Sequence, residues 1–134
     1  MKKLLLLCLS ACASASPRPP SCTAPAEQVE VAQIQIGWNA LVTGVPTQPP
    51  VVDVERPVRY EKDAQALAKQ LLARCEKGEP LAPLQQQYSE KGPGTMVIDA
   101  GSEAPFRSAA LCMKPGECAL YRSAEAWHVL KRIN

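Results

Sequence analysis

The chain is short of several things at once. It has one histidine, His128, one phenylalanine, Phe106, and aromatic residues make up only 4% of it. No two of its six cysteines stand in a C-x-x-C spacing, which removes the usual basis for zinc or thioredoxin-like chemistry. Charge of one sign is also scarce. There are 15 Lys+Arg against 13 Asp+Glu, and two of the basic residues, Lys2 and Lys3, lie at the extreme start. Without those two the balance is 13 against 13, so nothing in the electrostatics argues for nucleic acid as a partner. Finally, the apolar run that opens at Leu4 is too short to span a bilayer, which takes about 20 apolar residues.

What that run does fit is an export signal: a basic start, a short apolar stretch, then small residues. Leu9-Ser10-Ala11-Cys12 resembles a bacterial lipobox, which implies cleavage before Cys12 and a diacylglycerol on its thiol. The expected organisation is a lipoprotein signal at 1–11, an Ala/Ser/Pro-rich tether at 12–28, and a folded part at 29–134. The expected location is the bacterial cell envelope, lipid-anchored and facing the periplasm, with the outer membrane as the address. About 120 mature residues make one domain. With Cys8 removed and Cys12 lipidated, Cys22, Cys75, Cys112 and Cys118 remain. In an oxidising compartment they form two disulfides, for which three pairings are open. The Lys-Pro-Gly turn between Cys112 and Cys118 favours that local pair and leaves Cys22 for Cys75.

Hydrophobic periodicity supplies the elements. Residues 29–36, "VEVAQIQI", alternate as a strand. A Pro-rich loop follows over 37–60, with Pro46, Pro49, Pro50 and Pro57. Ala64, Leu67, Ala68, Leu71, Leu72 and Cys75 recur at helical spacing, predicting an amphipathic helix over 61–77 that Gly78 stops. Pro80 opens a second helix with Leu81, Leu84 and Tyr88 on one face. "TMVID", 95–99, is a short strand, Ser102 a candidate N-cap for a third helix, and Phe106, Ala109, Ala110 and Met113 its apolar face. Residues 118–122 and 126–133 close the chain as strands. In the last one His128, Leu130 and Arg132 face one way and Trp127, Val129, Lys131 and Ile133 the other. The order β, loop, α, α, β, α, β, β is an α+β pattern.

Several stretches in this order resemble the parvulin family of peptidyl-prolyl isomerases. "DAQALAKQLLARCEKGEPLAPLQQQYSE" is similar to that family's first two helices, closing on the aromatic–Ser pair Tyr88-Ser89. "APFRSAALCMKPGE" is similar to its Pro-Phe helix and following turn, and "WHVLKRI" to its last strand with its histidine. The resemblance spans about residues 29–134. It implies a small antiparallel or mixed four-stranded sheet covered by about three to four helices. It places His128 under the active site, Phe106 as the wall of a proline pocket, and Met96 as an apolar pocket residue. The family's first-strand histidine falls on Gln33, its Cys or Asp near Lys91 with Glu90 one step off, and its pocket methionine near Ser102. These departures bear on catalytic efficiency rather than on the fold.

The reaction so implied is rotation of an X–Pro amide over a barrier of about 18–20 kcal/mol. Nothing is broken, so neither metal nor cofactor is needed. The catalyst must hold the twisted amide better than either planar form. Phe106 and Met96, with Leu111 or Met113, are the candidates for an apolar pocket, and Ser102 for a further substrate contact. His128, Gln33 and Ser89 are the candidates for a polar network beneath it, with Ser89 and Gln33 as partners of His128. The partners expected are proline-containing unfolded or extended polypeptides, and the membrane through the lipid anchor. Two alternatives stand beside isomerase activity. One is a catalytically inactive parvulin-like module that holds unfolded exported chains, and the other an unrelated disulfide-stapled envelope scaffold. A Cys–His nucleophile is disfavoured because the thiols are expected to pair and no Asn or Asp orienter is evident.

Overall fold

A computed structural model describes residues 18–38 and 59–134. The signal at 1–11, the lipidation candidate Cys12, the tether as far as residue 17 and residues 39–58 of the Pro-rich loop lie outside the described residues. The elements are β1 (Gln28–Gly37), α1 (Glu61–Glu76), α2 (Leu81–Tyr88), β2 (Thr95–Asp99), α3 (Arg107–Leu111), β3 (Cys118–Arg122) and β4 (Ala126–Arg132). This is an α+β fold with one four-stranded sheet in the order β2-β1-β4-β3. Every neighbouring pair is antiparallel.

The helices begin and end for local reasons. In α1 the buried stripe is Ala64, Ala68, Leu71, Leu72 and Cys75. Glu61 and Asp63 sit in its first turn and Arg74 in its last, each where the helix dipole favours that sign. Gly78 then takes φ +89°, a left-handed turn that costs glycine least. Pro80 precedes the first residue of α2, which buries Leu81, Leu84 and Gln85.

The third helix departs from expectation. Ser102 does not cap it: α3 starts at Arg107, with Phe106 in the cap position and no side-chain cap. Pro105 explains the delay, since it biases Ala104 away from helical backbone. Ser102 instead closes the turn after β2, its Oγ accepting the Asp99 N–H at 2.9 Å.

The period-two alternation of β1 sorts its residues onto two faces. Ala32, Ile34 and Ile36, with Leu120 and Val129, pack against α1 and α2. Val29 and Val31, with Ile98, Ala119 and Leu130, pack against Phe106, Ala110, Leu111 and Met113. Burying each large aliphatic side chain here contributes about 1.5–3 kcal/mol. Coverage of the two faces is unequal. Helix α1 has 16 residues and α3 only 5, so among the described residues one end of the α3 face is left uncovered. That end carries Gln33, Gln35 and His128.

Two disulfides tie the layers together, and neither is the expected pair. Cys22 joins Cys112, with Cα atoms 5.4 Å apart, and Cys75 joins Cys118, at 6.2 Å. The alternation of β3 explains the error. Cys118 shares the face of Leu120 and packs on the α1 side, against the end of the helix that carries Cys75. Cys112 caps α3 on the opposite face of the sheet. The turn brings the two backbones close in sequence, but their side chains are consigned to opposite layers.

Candidate functional site

The uncovered end of the second face is a cleft of about 350 Å³. Its lining includes Gln33 and Gln35 from β1, His128 and Ala126 from β4, Ser123 and Glu125 from the β3–β4 turn, Lys91 and Met96 from the α2–β2 side, and Ala104, Pro105 and Phe106 from the approach to α3. Of the residues singled out from sequence, the fold brings together His128, Gln33, Lys91, Met96 and Phe106. Ser89, Ser102 and Leu111 lie outside the lining, and Leu111 is a buried part of the core beneath α3.

His128 is 3% exposed and both of its ring nitrogens are engaged. Nδ1 lies 3.0 Å from Gln33 Oε1. Nε2 lies 2.9 Å from Ser123 Oγ. With the Gln33 amide assigned in this orientation, Oε1 can only accept, so Nδ1 carries the hydrogen and Nε2 is the acceptor, for which the one Ser123 hydroxyl hydrogen has the Ala126 carbonyl, at 3.1 Å, as a competing partner. Ser123 Oγ in turn accepts the Ala126 N–H at 3.2 Å. The Phe106 ring stands 5.2 Å from the imidazole and the Tyr121 ring 6.3 Å from it. Burial among these groups pushes the His128 pKa down to about 4, because the charged form loses its water. At neutral pH the ring is therefore an uncharged donor and acceptor at the base of the cleft.

Ser89 is not a partner of His128, contrary to expectation. Its Oγ accepts the N–H of Gln35 at 3.1 Å and that of Lys91 at 3.2 Å. Glu90 N–H donates to the Gln35 carbonyl at 3.0 Å. The peptide groups of Gln35 thus point to residues 89 and 90, away from β4, and the backbone of β1 stands between Ser89 and His128. Ser123 takes the place expected for Ser89. It was missed because only the turn between β3 and β4 brings it back over His128.

Two further residues hold this framework. Gln85, 3% exposed, reaches from α2 to donate through Nε2 to the carbonyls of Gln33 at 3.0 Å and Gly94 at 2.9 Å. It thereby pins the start of β2 beside the residue that orients the histidine. Glu90 accepts the Gly37 N–H at 3.1 Å and pairs with Arg59 at 3.6 Å. A Cβ at position 37 would meet its carboxylate at 2.6 Å and would have to displace the end of Glu90. This acid serves the end of β1 and does not line the cleft.

The chain matches no family model and no curated protein sequence. Among the described residues no group of three or more His, Cys, Asp or Glu could hold a metal ion. What the cleft presents is an apolar side, Phe106, Met96, Ala104 and Pro105, beside a polar floor in which Ala126 neighbours His128 on β4. In that floor Gln33 Oε1 is occupied by His128, and its Nε2 has no hydrogen-bond partner among the described residues.

Proposed function

We propose that the cleft takes a proline-containing segment of an unfolded or extended polypeptide and speeds rotation about its X–Pro amide, as a parvulin-type peptidyl-prolyl isomerase. The observation that carries this reading is a neutral, doubly hydrogen-bonded His128 lying beneath an apolar wall headed by Phe106. The order of elements on which the resemblance rests also agrees with the proposal. A prolyl ring suits the wall. A twisted amide suits the floor, because its nitrogen no longer shares its lone pair with the carbonyl and can accept a hydrogen bond that the planar forms cannot. Gln33 Nε2 is the donor available for it. Favouring the twisted form over both planar ones is what accelerates rotation. His128 touches no substrate in this scheme and acts by fixing Gln33.

One observation favours a second reading, a holdase that binds such segments without turning them. Lys91 occupies the rim where the resemblance calls for a thiol or an acid. The rate of cis–trans exchange in an Ala-Pro peptide, with and without the protein, decides between the two. Acceleration supports the isomerase, whereas binding without acceleration establishes the holdase.

Export and a lipid anchor at Cys12 belong to the same proposal. The two disulfides support an oxidising compartment. No helix among the described residues is long and apolar enough to cross a membrane. Mass spectrometry of the mature amino terminus tests the anchor, and an unmodified Cys12 would refute it.

A further inference from the structure

We infer that Lys91 and Glu125 form a pair of opposite charges on the two sides of the cleft, selecting segments with an acidic side chain on one flank of the proline and a basic one on the other. The inference rests on the reading that the cleft takes a proline-containing segment. It adds which segments it takes: those with opposite charges on the two flanks, in one chain direction in preference to the other.

Three observations carry it. First, both residues line the cleft and both are exposed, so their charges meet an incoming chain. Second, neither is engaged in an ion pair among the described residues. The ion pairs there belong to Arg59 with Glu90, Arg74 with Glu79, and Arg122 with Glu61. Third, each charge is mounted on backbone fixed to β1 from a different side. Lys91 N–H is held by Ser89 Oγ, which also holds the Gln35 N–H on the edge of β1 that faces away from β4. The Glu125 carbonyl accepts the Trp38 N–H at 3.3 Å, from the turn that joins β3 to β4. With the strand order β2-β1-β4-β3, the lysine therefore stands on the β2 side and the glutamate on the β3 side. A segment crossing the cleft passes a cation at one rim and an anion at the other. A backbone has direction, so the two ways of placing opposite charges around the proline are not equivalent.

Four labelled peptides with a central Ala-Pro test this, bearing Glu then Lys, Lys then Glu, two Glu, or two Lys on the flanks. Their binding is read by fluorescence anisotropy at low and high salt. One of the two mixed peptides should bind about tenfold more tightly than its reverse, with the like-charged pair between them. Salt should compress the range. Exchanging the rim charges, Lys91→Glu with Glu125→Lys, should invert the preference for direction. The single changes Lys91→Gln and Glu125→Gln should each remove the preference at one flank only. Affinities equal within about twofold, a preference that survives the exchange unchanged, or no binding of any of the four would each overturn the inference. An uncharged Ala-Pro peptide separates this from the wider reading. If its isomerisation is not accelerated but the charge ranking holds, the isomerase falls and the rim selection stands. If it is accelerated and the ranking is flat, the reverse follows.

Discussion

His128 makes stability depend on pH in a way that can be worked through. Its pKa is about 4 in the folded protein against 6.5 for the free side chain, with desolvation as the cause. In the unfolded chain the imidazole takes a proton as pH falls through 6.5, and in the folded chain it does not do so until about pH 4. The unfolded state therefore binds more protons throughout that window, and stability falls as pH falls. The full contribution is present above pH 6.5 and lost towards pH 4. At about 1.4 kcal/mol per pH unit, the loss between pH 7.5 and pH 4.5 comes to about 2.5 kcal/mol. Carboxylates titrate over part of the same range, so the comparison needs a reference. His128→Gln keeps a donor and an acceptor for Gln33 and Ser123 but cannot titrate. Urea unfolding of both proteins, disulfides intact, at pH 7.5, 6.5, 5.5 and 4.5 gives the difference directly. The variant will be offset by some constant amount, but the gap between the two should close by about 2.5 kcal/mol as the pH is lowered to 4.5. A gap that does not change with pH would mean that His128 titrates alike in both states, and the account of a desolvated neutral ring would fail.

Phe106→Ala removes both a core side chain that is 2% exposed and the head of the cleft wall. It should cost about 3–5 kcal/mol in unfolding free energy and weaken binding of prolyl peptides, measured by urea titration and anisotropy. A stable variant with unchanged affinity would remove Phe106 from the site. Peptide mapping of the non-reduced protein should recover Cys22 linked to Cys112 and Cys75 linked to Cys118, and a Cys112–Cys118 peptide would refute the layer argument. Replacing Cys75 and Cys118 together by Ser should lower stability by up to about 4 kcal/mol, from the loop entropy of their separation.

Much of the fold was legible in the sequence because period and punctuation act locally. The alternation in 29–36, the stripe from Ala64 to Cys75 and the stop at Gly78 each have a cause within a few residues, and each element formed where it was read. The Gln33–His128 contact was expected only from the resemblance, and it formed because the β1–β4 register puts those side chains on one face. What failed depended on which layer a residue enters. Cys112 and Cys118 are neighbours in sequence but lie on opposite faces of the sheet. Ser89 was placed beside His128 by analogy, but β1 intervenes, a fact of strand order that no local pattern records. Ser102 is a sound cap by residue type, overruled by Pro105 three positions later. Glu125 drew no notice because an exposed turn residue acquires meaning only when the turn closes over a cleft.

The disulfides also have a consequence for how the chain reaches this structure. In the unfolded polypeptide, the shortest loop that any two of these four thiols can close is the six-residue span from Cys112 to Cys118. The native bonds span 90 and 43 residues. Short loops close at lower entropic cost, so the first bond formed in an oxidising solution is favoured to be the wrong one. It must then be opened by thiolate attack and exchanged, on a scale of seconds to hours unless an isomerase assists. The sheet supplies the correction: once β3 pairs with β4, Cys118 turns towards Cys75 and away from Cys112. Strand pairing therefore selects which bonds are native, while the exchange of thiols that installs them is the slow step.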